Sequence, residues 1–119
     1  MQFDFQLFSI IATTAYPKEC QYTLEQCLEV FRCYFQTYEG YIGRPHPSIK
    51  REQITRIMEA MPCIVMEDRV EKLELLDPED YTFLIDLHFK TQYRECDYNI
   101  NHFFSGRVRE MRLYDVESG

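Results

Sequence analysis

The chain has 119 residues, of which 45% are hydrophobic and 15% aromatic, and its formal net charge is -7. This length and composition fit one folded domain with its own hydrophobic core, and they exclude an intrinsically disordered chain. The four glycines and five prolines are too few for the many turns of a β-sandwich, so the composition favours helices.

The first sixteen residues fit two patterns. Phe3, Phe5 and Leu7 alternate as in a strand, whereas the apolar positions as far as Ile11 also follow a helical period. Because the sequence offers no evident partner strand, we predict a helix here.

The second predicted helix has the clearest signals. Thr23 precedes it, and Gln26 stands three residues later, which is the spacing of a capping box. Apolar residues then recur at helical intervals until Gly40 and Gly43, which predict the end of the helix.

A third helix is expected to begin near Ser48 and to stop at Pro62. Residues 63–76 are predicted as a short helix after an apolar connector. The sequence Asp-Pro-Glu-Asp at residues 77–80 then predicts a new helix start, with Asp77 as the cap and Pro78 in the first turn.

The last predicted helix is capped by Asp97. Its apolar positions keep a helical period if the helix continues through Gly106, which otherwise ends one helix before another begins. Both alternatives turn Val108 and Met111 inward and leave Arg109 on the outer side, next to Arg112. We therefore predict a compact all-α, single-domain bundle of four to six helices over residues 1–119.

Three histidines are candidate metal ligands. His46, His88 and His102 could act with Cys96 or Asp86, but none has the spacing of a known zinc motif. We expect structural roles for His88 and His102, and no metal or other cofactor.

Catalytic signatures are equally weak. The sequence has no nucleophile elbow and no glycine-rich phosphate loop, and its acidic run is typical of a solvated face. We therefore expect that the chain is not an enzyme.

The cysteine pattern bears on the cellular compartment. Five cysteines form an odd set without CxxC spacing, so reduced thiols in a cytoplasmic protein are the simplest expectation. The apolar N-terminal run lacks a preceding base and is too short for a membrane span, so we expect neither a signal peptide nor a membrane anchor.

Basic residues interleaved with aromatic ones are typical of nucleic-acid binding, because guanidinium groups pair with phosphates and rings stack on bases. The alternative is a core of rings with a solvated charged face. The candidate contacts are Arg44, Lys50, Arg51, Tyr98, Arg107, Arg109 and Arg112.

Residues 37–54 resemble the opening of the DnaD-type domain, which occurs in replication-initiation and helicase-loading proteins of low-GC Gram-positive bacteria and their mobile elements. The matching positions are Tyr38, Glu39, Gly43, Arg44, Pro45, Pro47 and Ser48. Further along, Tyr98 fits the first position of the family's Tyr-x-x-x-Ile-x-x-x-Trp motif, while His102 and Gly106 replace its Ile and Trp. The resemblance covers about residues 37–106, and it implies DNA contacts at Tyr98 and at the arginines of 107–112. The same segments resemble small uncharacterised mobile-element proteins of gut bacteria.

Three hypotheses follow. The leading one is an accessory protein of DNA replication or mobile-element maintenance, with single- or double-stranded DNA and replication proteins as partners. The alternative is an acidic protein–protein adaptor or inhibitor, because residues 66–80 carry seven acids and only two bases. The third is an unrecognised enzyme.

Overall fold

A computed structural model describes the backbone of residues 4–66, 72–91, 96–104, 108, 109 and 111, together with their side chains except in 63–66 and 72–75. Within these ranges the elements are α1 (Phe5–Ala15), α2 (Leu24–Ile42), α3 (Arg51–Ala60), β1 (Cys63–Met66), β2 (Lys72–Leu75), α4 (Asp80–Lys90) and α5 (Ile100–Phe103). The five helices confirm the prediction of a four-to-six-helix bundle, to which the two strands add a small hairpin.

Local capping signals explain where α1 and α2 begin and end. The Asp4 carboxylate accepts hydrogen bonds from two first-turn amides of α1, which confirms the predicted N-terminal helix. The capping box of α2 forms as predicted: Thr23 Oγ1 accepts from the Gln26 amide at 3.1 Å, and Gln26 Oε1 accepts from the Thr23 amide at 2.8 Å. Gly43 ends α2 with φ 81°, a left-handed conformation that favours glycine, while Gly40 lies inside the helix.

Residues 63–76 differ from the sequence prediction. The predicted short helix is wrong, because β1 and β2 pair as an antiparallel hairpin in which Cys63 stands opposite Leu75 and Met66 opposite Lys72. The β-branched pair Ile64-Val65 favours a strand, and pairing with β2 supplies hydrogen-bond partners for its backbone.

The ends of α3 and α4 also differ slightly from the predicted ones. The first residue of α3 is Arg51, three residues after the predicted start, and its chain turns at Pro62 as predicted. At the start of α4 the predicted cap by the Asp77 side chain does not form. Instead, the Asp80 carboxylate accepts a hydrogen bond from the Asp77 amide, with a distance of 3.0 Å to Oδ2. Pro78 therefore lies in the turn before the helix rather than in its first turn.

The core is built around α2, which packs against α4 on one side and against α1 on another, while α1 also packs against α3. Aromatic rings fill the space between α2, α4 and α5. The Tyr34 ring lies 5.3 Å from the rings of both Phe89 and Phe103, and all three side chains are buried.

Three buried tyrosines connect distant parts of the chain through their hydroxyl groups. Each hydroxyl donates a hydrogen bond of 2.6 Å to a backbone carbonyl 20 to 64 positions away in the sequence. The pairs are Tyr22 with Leu76, Tyr34 with Tyr98, and Tyr81 with Met61. Because these carbonyls lie in the segments between helices, the tyrosines attach those segments to the core.

Candidate functional site

Arg109, which was predicted on the outer side of the last helix next to Arg112, has a side chain that is only 8% exposed. Its Nη1 donates to the Ala60 carbonyl oxygen at 2.6 Å and to the Tyr81 hydroxyl at 3.0 Å, and its guanidinium lies 5.0 Å from the ring centre of Phe104. The carbonyls at the end of α3 attract a cation, which is the physical reason for its inward position.

The predicted orientation is therefore wrong at two positions of this segment, whereas Val108 packs against the core as predicted. Arg109 points inward instead of outward, and Met111, which was predicted to be inward, is 54% exposed. Arg107 and Arg112 lie outside the described residues. A buried guanidinium with two hydrogen-bond acceptors stabilises the fold and is not accessible to a phosphate in this arrangement.

Tyr98 also has a structural position. Its side chain is 9% exposed, its ring stacks on Phe89 at 4.9 Å, and its edge-on neighbour is His88 at 5.1 Å. Its backbone has φ 59°, a left-handed conformation that is uncommon for residues with a side chain. Protein rings therefore already cover Tyr98 in this conformation, and its contact with nucleic acid stays a prediction.

The basic residues between α2 and α3 are exposed. Arg51 nevertheless has a structural contact, because its Nη2 donates to the Thr14 carbonyl at 2.8 Å while Thr55 Oγ1 donates to the Ala15 carbonyl at 2.8 Å. These two side chains satisfy carbonyls at the C-terminal end of α1. Arg44 and Lys50 are the predicted contacts that remain available on the described surface.

His46 lies in the same connection but is buried. Its Nδ1 hydrogen-bonds to the Pro47 carbonyl at 2.8 Å, and its Nε2 accepts from the Ile100 amide at 2.9 Å. An amide can only donate, so Nε2 is the unprotonated nitrogen and Nδ1 carries the hydrogen. Burial lowers the pKa of His46, which agrees with a neutral ring.

The three histidines have different surroundings. Both ring nitrogens of His46 have partners, His88 is completely buried on α4, and His102 is exposed on α5. Among the residues that the structure describes, no group of three or more His, Cys, Asp or Glu side chains is placed to hold a metal ion.

Among the residues that the structure describes, one concave feature lined by charged residues is a cleft that the sequence did not reveal. It is an open cleft of about 890 Å³ between the first turns of α2 and the turn that precedes α4. Four exposed carboxylates line it, two from each segment: Glu25, Glu29, Asp77 and Glu79. We call this feature the acidic cleft.

Two features of the acidic cleft decide what it can bind. Arg32 approaches Glu29 only at 3.9 Å, a long and exposed pair that leaves the cleft strongly negative. Its wall is polar at the rim and includes the buried side chains of Val30 and Tyr81. Carboxylates spread over such an opening attract several separate cationic groups, such as the side chains of a basic peptide, rather than a single ion.

A signal for half of this cleft was present in the sequence. Glu25 and Glu29 are four residues apart, so a helix places them on one face. Their proximity to Asp77 and Glu79 depends on the packing of α2 against α4, which is a contact between segments about fifty residues apart.

A second exposed surface lies on α1. Leu7 and Ile10 are 57% and 64% exposed, Ile11 is 39% exposed, and no residue of α1 is charged. Apolar side chains grouped on one helix face are typical of a contact surface.

Within the described ranges, no helix has both the length and the apolar character needed to cross a membrane. Comparisons of the chain with protein-family models, with curated proteins and with solved structures find no match in any of the three. The resemblance to the DnaD-type domain therefore stays a prediction.

Proposed function

We propose that this chain is a non-enzymatic adaptor that binds a basic segment of a partner protein in the acidic cleft. The observation that carries the proposal is the convergence of four exposed carboxylates, from two separate parts of the chain, on one open cleft. This is the alternative hypothesis of an acidic adaptor, with Glu25 and Glu29 of α2 added to the predicted acidic segment.

The expected interaction is electrostatic and of moderate strength. A net charge of -7 attracts basic partners over several ångströms and speeds their association. Each exposed ion pair contributes about 0.2–1 kcal/mol, so four pairs support a weak complex that dissociates readily as salt is added. We expect a transient contact rather than a permanent assembly.

The test uses a labelled twelve-residue peptide, (Arg-Gly-Ser)₄, and its neutral counterpart (Gln-Gly-Ser)₄, in fluorescence anisotropy titrations at low and moderate salt. One variant replaces the cleft acids, as Glu25→Gln, Glu29→Gln, Asp77→Asn and Glu79→Gln. A matched control replaces four exposed acids elsewhere, as Glu19→Gln, Glu39→Gln, Glu52→Gln and Glu59→Gln.

Both variants have a formal charge of -3 instead of -7, so they separate the cleft from the overall charge. We expect the cleft variant to bind the basic peptide about tenfold more weakly or worse, while the control loses much less. Equal losses in the two variants, or no binding by the wild type at low salt, would contradict the proposal.

The second candidate is an accessory protein of DNA replication or mobile-element maintenance. The exposure of Arg44 and Lys50 on the connection between α2 and α3 favours it, and Arg107 and Arg112 remain sequence-based candidates. Wild type and an Arg44→Ala/Lys50→Ala variant are compared by anisotropy with labelled single- and double-stranded DNA. DNA binding that falls steeply with salt and weakens in the variant supports this candidate, whereas an acidic adaptor binds no DNA at any salt.

A further inference from the structure

The exposed face of α1 is unusual for a helix at the surface of a protein. Its side chains follow the spacing i, i+3, i+4 and i+7, so they form one band along the helix. We call this band the α1 face; its members are Leu7, Ile10, Ile11 and Thr14. No residue of α1 is charged, although 28% of the whole chain is charged. A helix without a charged side is normally covered by protein, whereas this face is open to solvent.

The hydroxyl groups of α1 do not depend on water for a hydrogen-bond partner. Ser9, Thr13 and Thr14 each donate to a carbonyl three or four residues earlier in the same helix, and all three distances are 2.8 Å. If another surface covers the helix, these donors therefore stay paired. The α1 face can lose its water without leaving a buried hydroxyl unsatisfied.

Opposite charges stand at the two ends of the α1 face. Asp4 is exposed, lies one turn before Leu7 and caps the first turn of α1. At the other end, Arg51 of α3 is exposed and donates to the Thr14 carbonyl at 2.8 Å. The surface therefore runs from an acid, over apolar side chains, to a base.

This order of charges favours a second copy of the chain as the occupant. With a net charge of -7, two copies repel one another over most of their surfaces, but an uncharged face lets them approach. An antiparallel contact places Asp4 of each copy beside Arg51 of the other, whereas a parallel contact would bring like charges together. A membrane fits less well, because α1 has no lysine or arginine to hold a phosphate headgroup.

We infer that the α1 face is a dimerisation surface, on which two copies of the chain pack their first helices antiparallel about a twofold axis. The midpoint between Leu7 and Thr14 lies between Ile10 and Ile11, so the axis passes there. Ile10 of each copy then packs against Ile11 of the other, and the same surface patch serves both copies. Because α1 has 11 residues and is about 16 Å long, the interface is small and the dimer is weak and reversible.

The test is sedimentation equilibrium of the full chain from about 10 µM to about 0.5 mM, in about 150 mM salt to screen the net charge. We expect the mean mass to rise with concentration toward twice the monomer mass. Ile10→Lys places two like charges beside the axis and should weaken dimerisation at least about tenfold. Phe83→Lys is the matched control, because Phe83 on α4 is 72% exposed and the charge change is the same. It should dimerise as the wild type does.

A mixing experiment tests the antiparallel arrangement. Asp4→Lys alone and Arg51→Glu alone each place like charges at both ends of the dimer, so each should weaken it. In a mixed dimer of these two variants, both contacts again join opposite charges. An equimolar mixture should therefore associate more tightly than either variant by itself. A loss that came from damage to the end of α1 would not be repaired by mixing.

A chain that stays monomeric at about 0.5 mM overturns the inference. It is overturned equally if Ile10→Lys and Phe83→Lys weaken the dimer to the same extent, if the mixture is no tighter than its components, or if the mass exceeds two copies. Cosedimentation with phosphatidylcholine vesicles is measured in parallel, and vesicle binding by a monomer that Ile10→Lys abolishes would assign the α1 face to a lipid surface instead. None of the substitutions lies in the acidic cleft, so these outcomes are independent of the proposed adaptor function.

Discussion

Replacing Arg109 with alanine tests the inward position of this residue. Among the interactions that the substitution removes are the hydrogen bonds from the guanidinium to the Ala60 carbonyl at 2.6 Å and to the Tyr81 hydroxyl at 3.0 Å, together with the contact to the Phe104 ring. Hydrogen bonds to charged groups contribute about 1.5–3 kcal/mol each, and the ring contact adds about 0.5–2 kcal/mol. Relief of the desolvation of a buried cation offsets part of this loss, which leaves a net destabilisation of about 3 kcal/mol.

The assay is urea and thermal unfolding followed by circular dichroism. An unfolding entropy of about 2.1 cal/mol/K per residue gives roughly 0.25 kcal/mol/K for a chain of this length, so 1 kcal/mol corresponds to about 4 °C in Tm. We therefore expect Arg109→Ala to lower Tm by about 12 °C. Arg44→Ala is the matched control, because Arg44 is exposed and its loss changes stability by less than about 0.5 kcal/mol.

A double-mutant cycle with Tyr81→Phe isolates the contact between the two side chains. We expect a coupling energy of at least about 0.5 kcal/mol between Arg109 and Tyr81. If Arg109→Ala is as stable as Arg44→Ala and the cycle shows no coupling, then Arg109 is a surface residue and the reasoning from its burial is refuted.

Three further changes test other parts of the fold by the same unfolding assay. Because burial lowers the pKa of His46, the unfolded chain binds the proton more readily. The contribution of His46 to stability is therefore constant above about pH 7, and it falls below about pH 6.5 by up to 1.4 kcal/mol per pH unit. A His46→Asn variant that keeps the full acid dependence would contradict this. Tyr34→Phe leaves the Tyr98 carbonyl without its hydroxyl donor and should cost about 1–2 kcal/mol, and a neutral result would exclude a stabilising hydrogen bond. Gly43→Ala should lower the free energy of unfolding by about 1 kcal/mol, because φ at this position is 81°. Gly40→Ala, inside α2, should raise the free energy of unfolding by about 0.5–1 kcal/mol. Effects of the same sign would refute the assigned end of α2.

Short-range signals explain which elements the sequence predicted well. Thr23, Gln26 and Gly43 act on backbone groups within four residues, so a short window of the sequence contains both the capping residue and the group that it caps. Pro62 likewise acts on its own backbone. The start of α2 and the ends of α2 and α3 were predictable for this reason.

The hairpin was missed because short apolar runs do not distinguish a strand from a buried helix. Ile64 and Val65 favour a strand, but the decisive partner is β2, which begins six residues after the end of β1. Pairing between strands is a tertiary event, and local periodicity contains no information about it.

Arg109 and the acidic cleft were missed for a related reason. The acceptor of the arginine, the Ala60 carbonyl, is 49 positions away, and a backbone carbonyl leaves no mark in the pattern of side chains. The acids of α2 and those before α4 become neighbours only when the two helices pack. The pattern of side chains therefore predicts an exposed position for both arginines, which is correct for Arg44 and wrong for Arg109.

Ionisation of the buried tyrosines, whose hydroxyls attach the connecting segments to the core, can be followed by ultraviolet absorption. The chain has nine tyrosines and no tryptophan, so its near-ultraviolet signal comes mainly from phenol groups. Burial raises the pKa of both Tyr22 and Tyr34, so the unfolded chain loses these protons more readily and stability falls as pH rises above about 10. Ionisation would also remove the donors that these hydroxyls supply to Leu76 and Tyr98. In strong base, the appearance of tyrosinate from these residues and the loss of the fold should therefore occur as a single transition, visible without any added dye.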